Sequence, residues 1–354
     1  MSQTQTILYD WFSRPVKSGS TNFFVDLPFT LATDTGLVRK QNQDKAGAVW
    51  LNNNQQRIFA LAISDGMGGM KDGAECATLT ISVFMSTLIE NPTLALDKLA
   101  LLAVQEANEA VAQFAQEKGG ATLSALLFGE GFSPVLVHVG DSRIYTYGSS
   151  NRLNRQTTDD SMAEALGGAG RELLQFVGMG ESINPRVDYL DCSDDKCLIT
   201  TDGIHRLDEK VIGEILNTAT DMKQASERLM ILARWCGGKD NATSAILNIS
   251  EIKKNFHSFQ NSGTRIWDPF GELTLQIINK HSNSSNSVST DSNQQRDLER
   301  SPSTPNNPKK SRRVPKKNSN EKSKRNSTPK GKDLQLKIHM DESKSDDDDT
   351  DDRE

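Results

Sequence analysis

The 354 residues (39.0 kDa) carry 35% hydrophobic side chains and a mean hydropathy of -0.55, too little apolar material for a chain of this length to be packed throughout. The net charge of -6 divides into -8 over residues 1–280 (25 Lys+Arg, 33 Asp+Glu) and +2 over 281–354 (16 and 14), so the part able to fold is acidic and is not a general nucleic-acid binder. No run of eighteen apolar residues offers a membrane span, the first ten residues do not read as a secretory signal, and the four scattered cysteines lack metal-type or disulfide-type spacing, so a cytoplasmic protein is expected.

Residues 1–30 show no clear periodicity and are assigned either to packing on the following domain, through Phe12, Phe23, Phe24 and Phe29, or to partial disorder. Residues 31–36 read as a strand meeting a turn. Residues 46–50 read as a short strand before a polar hairpin tip at 52–56. Residues 58–63 form a continuous apolar run, the mark of a strand buried on both faces, which stops at Ser64-Asp-Gly-Met-Gly-Gly69. Long helices are predicted over 73–90 and 93–118, the second stopped by Gly119-Gly120. Strands follow at 122–128, 135–139 and 144–147, with Gly140-Asp-Ser-Arg143 between the last two. A strand at 198–201 ends at Asp202-Gly203. Helices at 208–218 and 221–236 lead through Gly237-Gly238 to a final strand at 243–249. Adjacent strands mixed with helices indicate an α+β fold with antiparallel sheets. The catalytic domain is placed at 31–252, with an extension of the fold at 253–280.

Residues 281–354 contain no aromatic residue and only seven aliphatic or Met side chains. That is too little to offset the entropy of ordering, so the segment reads as a disordered tail. A basic block at 309–332 has eleven Lys or Arg against Glu321, and an acidic block at 341–354 has nine acids. The basic block suits an acidic surface, a nucleic acid or a partner protein, and would pass for a nuclear import signal in a eukaryotic host. Leu334, Leu336, Ile338 and Met340 alternate with polar residues, as an edge-docking strand would.

Four aspartates share an unusual setting. Asp65 and Asp202 each end an apolar run and precede a glycine, Asp44 closes Asn42-Gln43-Asp44, and Asp240 precedes Asn241 before the last strand. A single Asp-Gly is ordinary turn chemistry. Four such carboxylates converging at one end of a sheet would repel one another unless neutralised, and they suit Mg²⁺ or Mn²⁺. A water shared between two such cations is a usable nucleophile near neutral pH.

Together these segments resemble the metal-dependent type 2C family of serine/threonine protein phosphatases. The resemblance runs in order through Thr35-Gly-Leu-Val-Arg-Lys-Gln-Asn-Gln-Asp44, Ser64 to Gly69, Gly120-Ala-Thr122, Val139-Gly-Asp-Ser-Arg-Ile144, Thr158-Asp-Asp-Ser161, Thr200-Thr-Asp-Gly-Ile204 and Gly238-Lys-Asp-Asn241. It implies a four-layer α-β-β-α sandwich with two central antiparallel sheets and two divalent cations, Mn²⁺ or Mg²⁺, between them. It implies cation ligands at Asp44, Asp65, the Gly66 carbonyl, Asp202 and Asp240, a third cation at Asp141 with Asp202, and a phosphate-binding role for Arg39. The implied partner is a phosphoprotein substrate opposed by a Ser/Thr kinase, met by a monomeric enzyme. The alternative is a pseudophosphatase or phosphoprotein-binding scaffold, but no metal-site aspartate is lost.

The chain departs from the family pattern in three places. Met67 stands where many members have a histidine proposed as general acid, which leaves the leaving-group proton to water or to His205. Gln43 replaces an acid. The segment from Asp160 to Val187, where members often carry a substrate-shaping flap, is short. Arg143 is read as structural.

Overall fold

The computed structural model describes residues 1–15, 21–22, 27–52, 56–67, 72–116, 118–148, 152–167, 172–258, 263–278 and 335–342. Phe23, Phe24, the hairpin tip at 53–55, Gly68, Gly69, the basic block and most of the acidic block lie outside these residues. The helices are α1 (Gln3–Phe12), α2 (Gly73–Glu90), α3 (Leu96–Ala115), α4 (Met162–Leu166), α5 (Asp202–His205), α6 (Glu209–Thr218), α7 (Met222–Trp235) and α8 (Ile249–Ser258). The first seven strands are β1 (Thr21–Asn22), β2 (Phe29–Asp34), β3 (Asp44–Asn52), β4 (Arg57–Asp65), β5 (Leu123–Gly129), β6 (Val135–Val139) and β7 (Arg143–Tyr147). The rest are β8 (Asn154–Arg155), β9 (Arg186–Tyr189), β10 (Lys196–Thr200), β11 (Ala242–Asn248), β12 (Gly263–Asp268), β13 (Gly271–Ile278) and β14 (Gln335–Glu342).

Two sheets form the centre. One has six strands in the order β1-β2-β11-β10-β7-β8, the other eight in the order β14-β13-β12-β3-β4-β5-β6-β9. β3, β4 and β5 are apolar on both faces because both faces are covered. Phe59, Leu61 and Ile63 point between the sheets, while Ile58, Ala60 and Ala62 face the helical layer of α1, α2 and α3. Between the sheets Phe59 stands 5.3 Å from Phe29, 5.6 Å from Trp50 and 6.1 Å from Phe128, ring centre to ring centre. On the far side Ile212, Leu216, Leu229 and Met230 of α6 and α7 pack on Tyr145, Leu198 and Ile246 of the smaller sheet. α2 is buried along almost its whole length, since α1, α3 and the larger sheet surround it. The result is the four-layer sandwich expected from the resemblance. No helix among the described residues is long and apolar enough to cross a membrane.

The structure adds to the sequence reading in three places. Residues 1–30 begin with α1, fixed by a reciprocal cap: the Gln5 amide donates to Ser2 Oγ at 3.1 Å and the Ser2 amide to Gln5 Oε1 at 2.8 Å. Leu8, Trp11 and Phe12 are buried beneath it. Asp202 opens the short helix α5 rather than closing a strand. The stretch read as a disordered tail contains β14, a neighbour of β13 in the larger sheet. Its alternation suits an edge strand, and the edge it covers belongs to its own chain.

β14 lies three strands away from β3, so ending the chain at residue 334 should leave the domain folding cooperatively. Tm should fall by only a few degrees, at about 2–4 °C for each ~1 kcal/mol lost. Loss of the far-ultraviolet circular dichroism of the helices on that cut would show that β14 belongs to the core.

Candidate active site

Strand pairing alone sets two carboxylates side by side. β3 begins at Asp44 and β4 ends at Asp65, and the antiparallel register places these two residues opposite each other, with Cβ atoms about 5 Å apart in such a pair. In the facing sheet β10 ends at Thr200 and β11 begins at Ala242, so Asp202 and Asp240 each lie two residues beyond a strand end. The sheets are tied together here. Asp44 Oδ2 accepts from Thr201 Oγ1 at 2.9 Å and from Thr243 Oγ1 at 2.7 Å. Its other oxygen, Oδ1, is buried with no hydrogen-bond partner.

Asp65 is held through its backbone. Its amide donates to Thr122 Oγ1 at 2.9 Å, and the Thr122 amide returns a 2.9 Å bond to the Asp65 carbonyl. Asn241 clamps the loop before β3: its Oδ1 accepts from the Gln43 amide at 2.8 Å, and its Nδ2 donates to the carbonyls of Thr35 and Gln41 at 2.9 and 3.1 Å. The two Asp-Gly glycines are there for close approach, and neither has a positive φ. A Cβ on Gly66 would stand 2.2 Å from the Gly73 carbonyl oxygen, and one on Gly203 would stand 2.0 Å from that of Asn241.

Burial is the main electrostatic force on the acids. It pushes the Asp44 carboxyl up to about 6, against the pull of the two threonine hydroxyls and with repulsion from Asp240 added. It raises Asp65 well above the usual carboxylate range, helped by Asp44, Asp202 and Asp141. It pushes Asp202 up to about 7 against the charge of Arg206. Asp141 is also raised, by burial and then by Asp159.

The structure thus brings Asp44 and Asp65 together, with Asp202, Asp240 and Asp141 near enough for their charges to act on Asp65. It does not converge all four ligand candidates. Asp240 is gripped by Arg39 through two bonds, Nε to Oδ1 at 2.8 Å and Nη2 to Oδ2 at 2.9 Å. Arg206 pairs with Asp202 and reaches Asp240 at 3.5 Å. Among the described residues no three acids, histidines or cysteines form a chelating cluster. Arg39, expected to grip phosphate, is here the partner of an expected cation ligand.

Sequence reasoning assigned no role to Arg206, Thr201, Thr243 or Asn241. The four-residue step from Asp202 to Arg206 was a readable signal, since that spacing places both on one helix face. The threonines gave none. His205 is buried, and desolvation, then the charges of Arg143, Arg206 and Arg155, hold it neutral. Met67 is half-buried, its amide bonded to the Gly120 carbonyl at 3.1 Å. Arg143 is engaged with Asp159 and Glu209, in keeping with a structural part. Between β8 and β9 the described residues hold only α4 and one 3-10 turn at Gly180–Ser182.

A buried carboxylate oxygen with no partner, opposite a second, half-buried carboxylate, is an all-oxygen donor set that fits a hard divalent cation. Comparison with known proteins agrees. The sequence family described as protein phosphatase 2C matches residues 38–237. The chain belongs to the protein phosphatase 2C family. It is a metal-dependent protein serine/threonine phosphatase. Protein phosphatase PhpP of Streptococcus pneumoniae is 26% identical over 248 residues, covering 64% of this chain and 98% of that one. The solved structure of the PPM Ser-Thr phosphatase MsPP from Mycobacterium smegmatis is 28% identical with a TM-score of 0.53, covering 62% of this chain and 97% of that one. The catalytic domain of PstP, solved in complex with two manganese ions, is 28% identical with a TM-score of 0.52, covering 62% and 96%.

A carboxyl held near 6 or 7 in the fold, against about 4 unfolded, binds its proton more tightly when folded. Without a cation, stability therefore falls as pH rises from about 4 to about 7 and is flat above. A cation needs ionised carboxylates, so its stabilisation grows across the same window. Mn²⁺ is expected to raise Tm more at pH 8 than at pH 5. Equal shifts at both would show that Asp44 and Asp202 do not titrate against the cation.

Proposed function

We propose that this phosphatase holds two divalent cations, Mn²⁺ or Mg²⁺, on Asp44, Asp65, the Gly66 carbonyl, Asp202 and Asp240, with Asp141 and Asp202 offering a third position. The observation that carries the reading is the Asp44–Asp65 pair, a buried carboxylate with an unpartnered oxygen set directly opposite a half-buried one. The two manganese ions in the PstP structure support the number. When bound, such cations supply a nucleophilic water near neutral pH and neutralise charge on the phosphate.

The chain's own residues do the rest. Asp44 and Asp65 are fixed by strand pairing and by threonine hydroxyls, so they meet their ligand without rearrangement. Arg39 presents its guanidinium at the mouth of the site, where a phosphate dianion competes with Asp240 for the same two-pronged grip. Met67 carries no proton to give, and His205 is buried and neutral, so the departing serine or threonine oxygen takes its proton from solvent. All four aspartates are present, which supports catalysis over a phosphoprotein-binding scaffold. The enzyme acts as a monomer in the cytoplasm, opposite a Ser/Thr kinase, and its basic block, outside the described residues, contacts an acidic surface, a nucleic acid or a partner protein.

Release of phosphate from phosphothreonine and phosphoserine peptides should stop on chelation and return with Mn²⁺. Asp202→Asn and Asp240→Asn should each lower kcat by orders of magnitude with circular dichroism unchanged. Full turnover after exhaustive chelation would sink the reading.

The missing side-chain acid predicts a steep dependence of rate on the leaving group. Aryl phosphates of acidic phenols should be hydrolysed far faster than those of basic phenols. Met67→His should flatten the series, since a positioned acid contributes about 10² to 10⁴-fold. A flat series in the unaltered enzyme would reveal another proton donor.

A further inference from the structure

Two pairs of exposed apolar side chains stand on segments that meet beside the proposed phosphate-binding arginine. α7 buries Ala225, Leu229, Met230 and Ala233 on its inner side. Its outer side presents Ile231 and Trp235, four residues apart and so on one stripe, at 59% and 88% exposure. The helix ends at Gly237-Gly238, and there the chain meets the loop between β2 and β3. The Leu37 amide donates to the Gly238 carbonyl at 2.7 Å, and a Cβ built on Gly238 would fall 2.9 Å from Leu37 Cγ. Leu37 and Val38 are 59% and 65% exposed. Arg39 comes next, with its guanidinium on Asp240.

These four side chains are a third of the twelve large apolar side chains that stand exposed among the described residues. They gather on two segments that touch, immediately before Arg39 and Asp240. Apolar surface concentrated in this way marks a contact site. Tryptophan in particular is the side chain that most often dominates a protein–protein contact.

We propose that the ridge of Leu37, Val38, Ile231 and Trp235 binds the substrate segment beside the phosphorylated residue, and that the enzyme prefers phosphoserine and phosphothreonine flanked by apolar side chains. The inference rests on the catalytic reading above and adds the sequence class of substrate. Continuity with Arg39 decides the occupant. A phosphate seated at Arg39 brings its own chain with it, and at about 3.3–3.6 Å per extended residue a side chain within four positions reaches along the ridge. Aryl phosphates have no such chain and bypass it.

The experiment uses the full chain with Mn²⁺ and two phosphothreonine peptides of equal length and charge. One carries Leu or Phe within four residues on either side, the other Ser or Gln at those positions. The apolar peptide should show a KM about tenfold lower. Trp235→Ala combined with Leu37→Ser should erase that difference while p-nitrophenyl phosphate is hydrolysed at the unaltered rate, which also certifies the fold. Equal KM values, or a preference that survives both substitutions, would overturn the proposal. So would loss of a dimer on Trp235→Ala with peptide KM unchanged, which would assign the ridge to self-association. Hydrolysis of p-nitrophenyl phosphate but of neither peptide would overturn the protein-phosphatase reading itself, and the inference with it.

Discussion

The carboxylate of Asp44 is the joint between the two sheets. It starts a strand of one sheet and accepts hydroxyl bonds from Thr201 and Thr243 of the other. Thr243 also shares a 2.7 Å bond with Thr33, which in turn accepts from Asn42 at 2.8 Å. The network thus closes through the loop that carries Arg39. Bonds to an ionised group are worth about 1.5–3 kcal/mol each. They compete with the cost of taking a charge out of water, and burial wins, since the Asp44 carboxyl is raised to about 6 despite both hydroxyls. The sheets are therefore aligned by a group that the fold alone does not fully stabilise. On the proposed reading, a cation bound at Asp44 would offset that cost, which would account for the chemistry sitting at this joint.

The surrounding charges follow from the same constraint. Residues 1–280 carry a charge of -8, and much local acid is gathered at this end of the sheets. Arg39 and Arg206 answer it. Both side chains are only partly buried, so their pairs are weaker than their distances suggest. An arginine that is loosely held on an aspartate is available to a phosphate dianion, whereas one set deeper, as Arg143 is on the buried Asp159 carboxylate with Glu209 also in reach, is less so. Exposure separates the arginine that can exchange partners from the one that only braces.

The long helices and the central strands were legible because burial leaves a periodic trace. The apolar run at 58–63 is β4, and the 3.6-residue spacing over 93–118 is α3. α1 was missed although Ser2 and Gln5 form a reciprocal cap, because its ten residues are too few for periodicity to stand out. Asp44, Asp65, Asp202 and Asp240 were readable because each sits where a strand begins or ends, and the chain marks strand ends with polar residues and glycine. What holds them was not readable. Thr201, just past β10, and Thr243 in β11 look ordinary until the two sheets face each other, and no local pattern encodes contacts with Asp44 across 157 and 199 positions. The same is true of the arginine grips, which depend on loop conformation. The alternation around Leu336 announced a strand but not its partner, since an edge strand pairs as readily with its own sheet as with another chain's.

On the proposed reading, chemistry and selectivity lie on different kinds of structure. The aspartates stand at or within two residues of strand ends, and Asp65 and Asp202 precede glycines whose neighbours leave no room for a Cβ, so their positions are fixed by packing. The apolar side chains proposed for selectivity stand on a helix end and a loop and are mostly exposed to solvent. Substitutions there can change without disturbing the core, because surface positions away from caps and buried networks rarely shift stability by more than about 0.5 kcal/mol. A site whose reacting groups are immobile and whose rim is free to vary can hold one reaction constant while its substrates change. The short segment between β8 and β9 fits that division. Among the described residues only α4 and one 3-10 turn stand between β8 and β9, so on the proposed reading the surface beside Arg39 takes the larger share in reading a substrate's flanks.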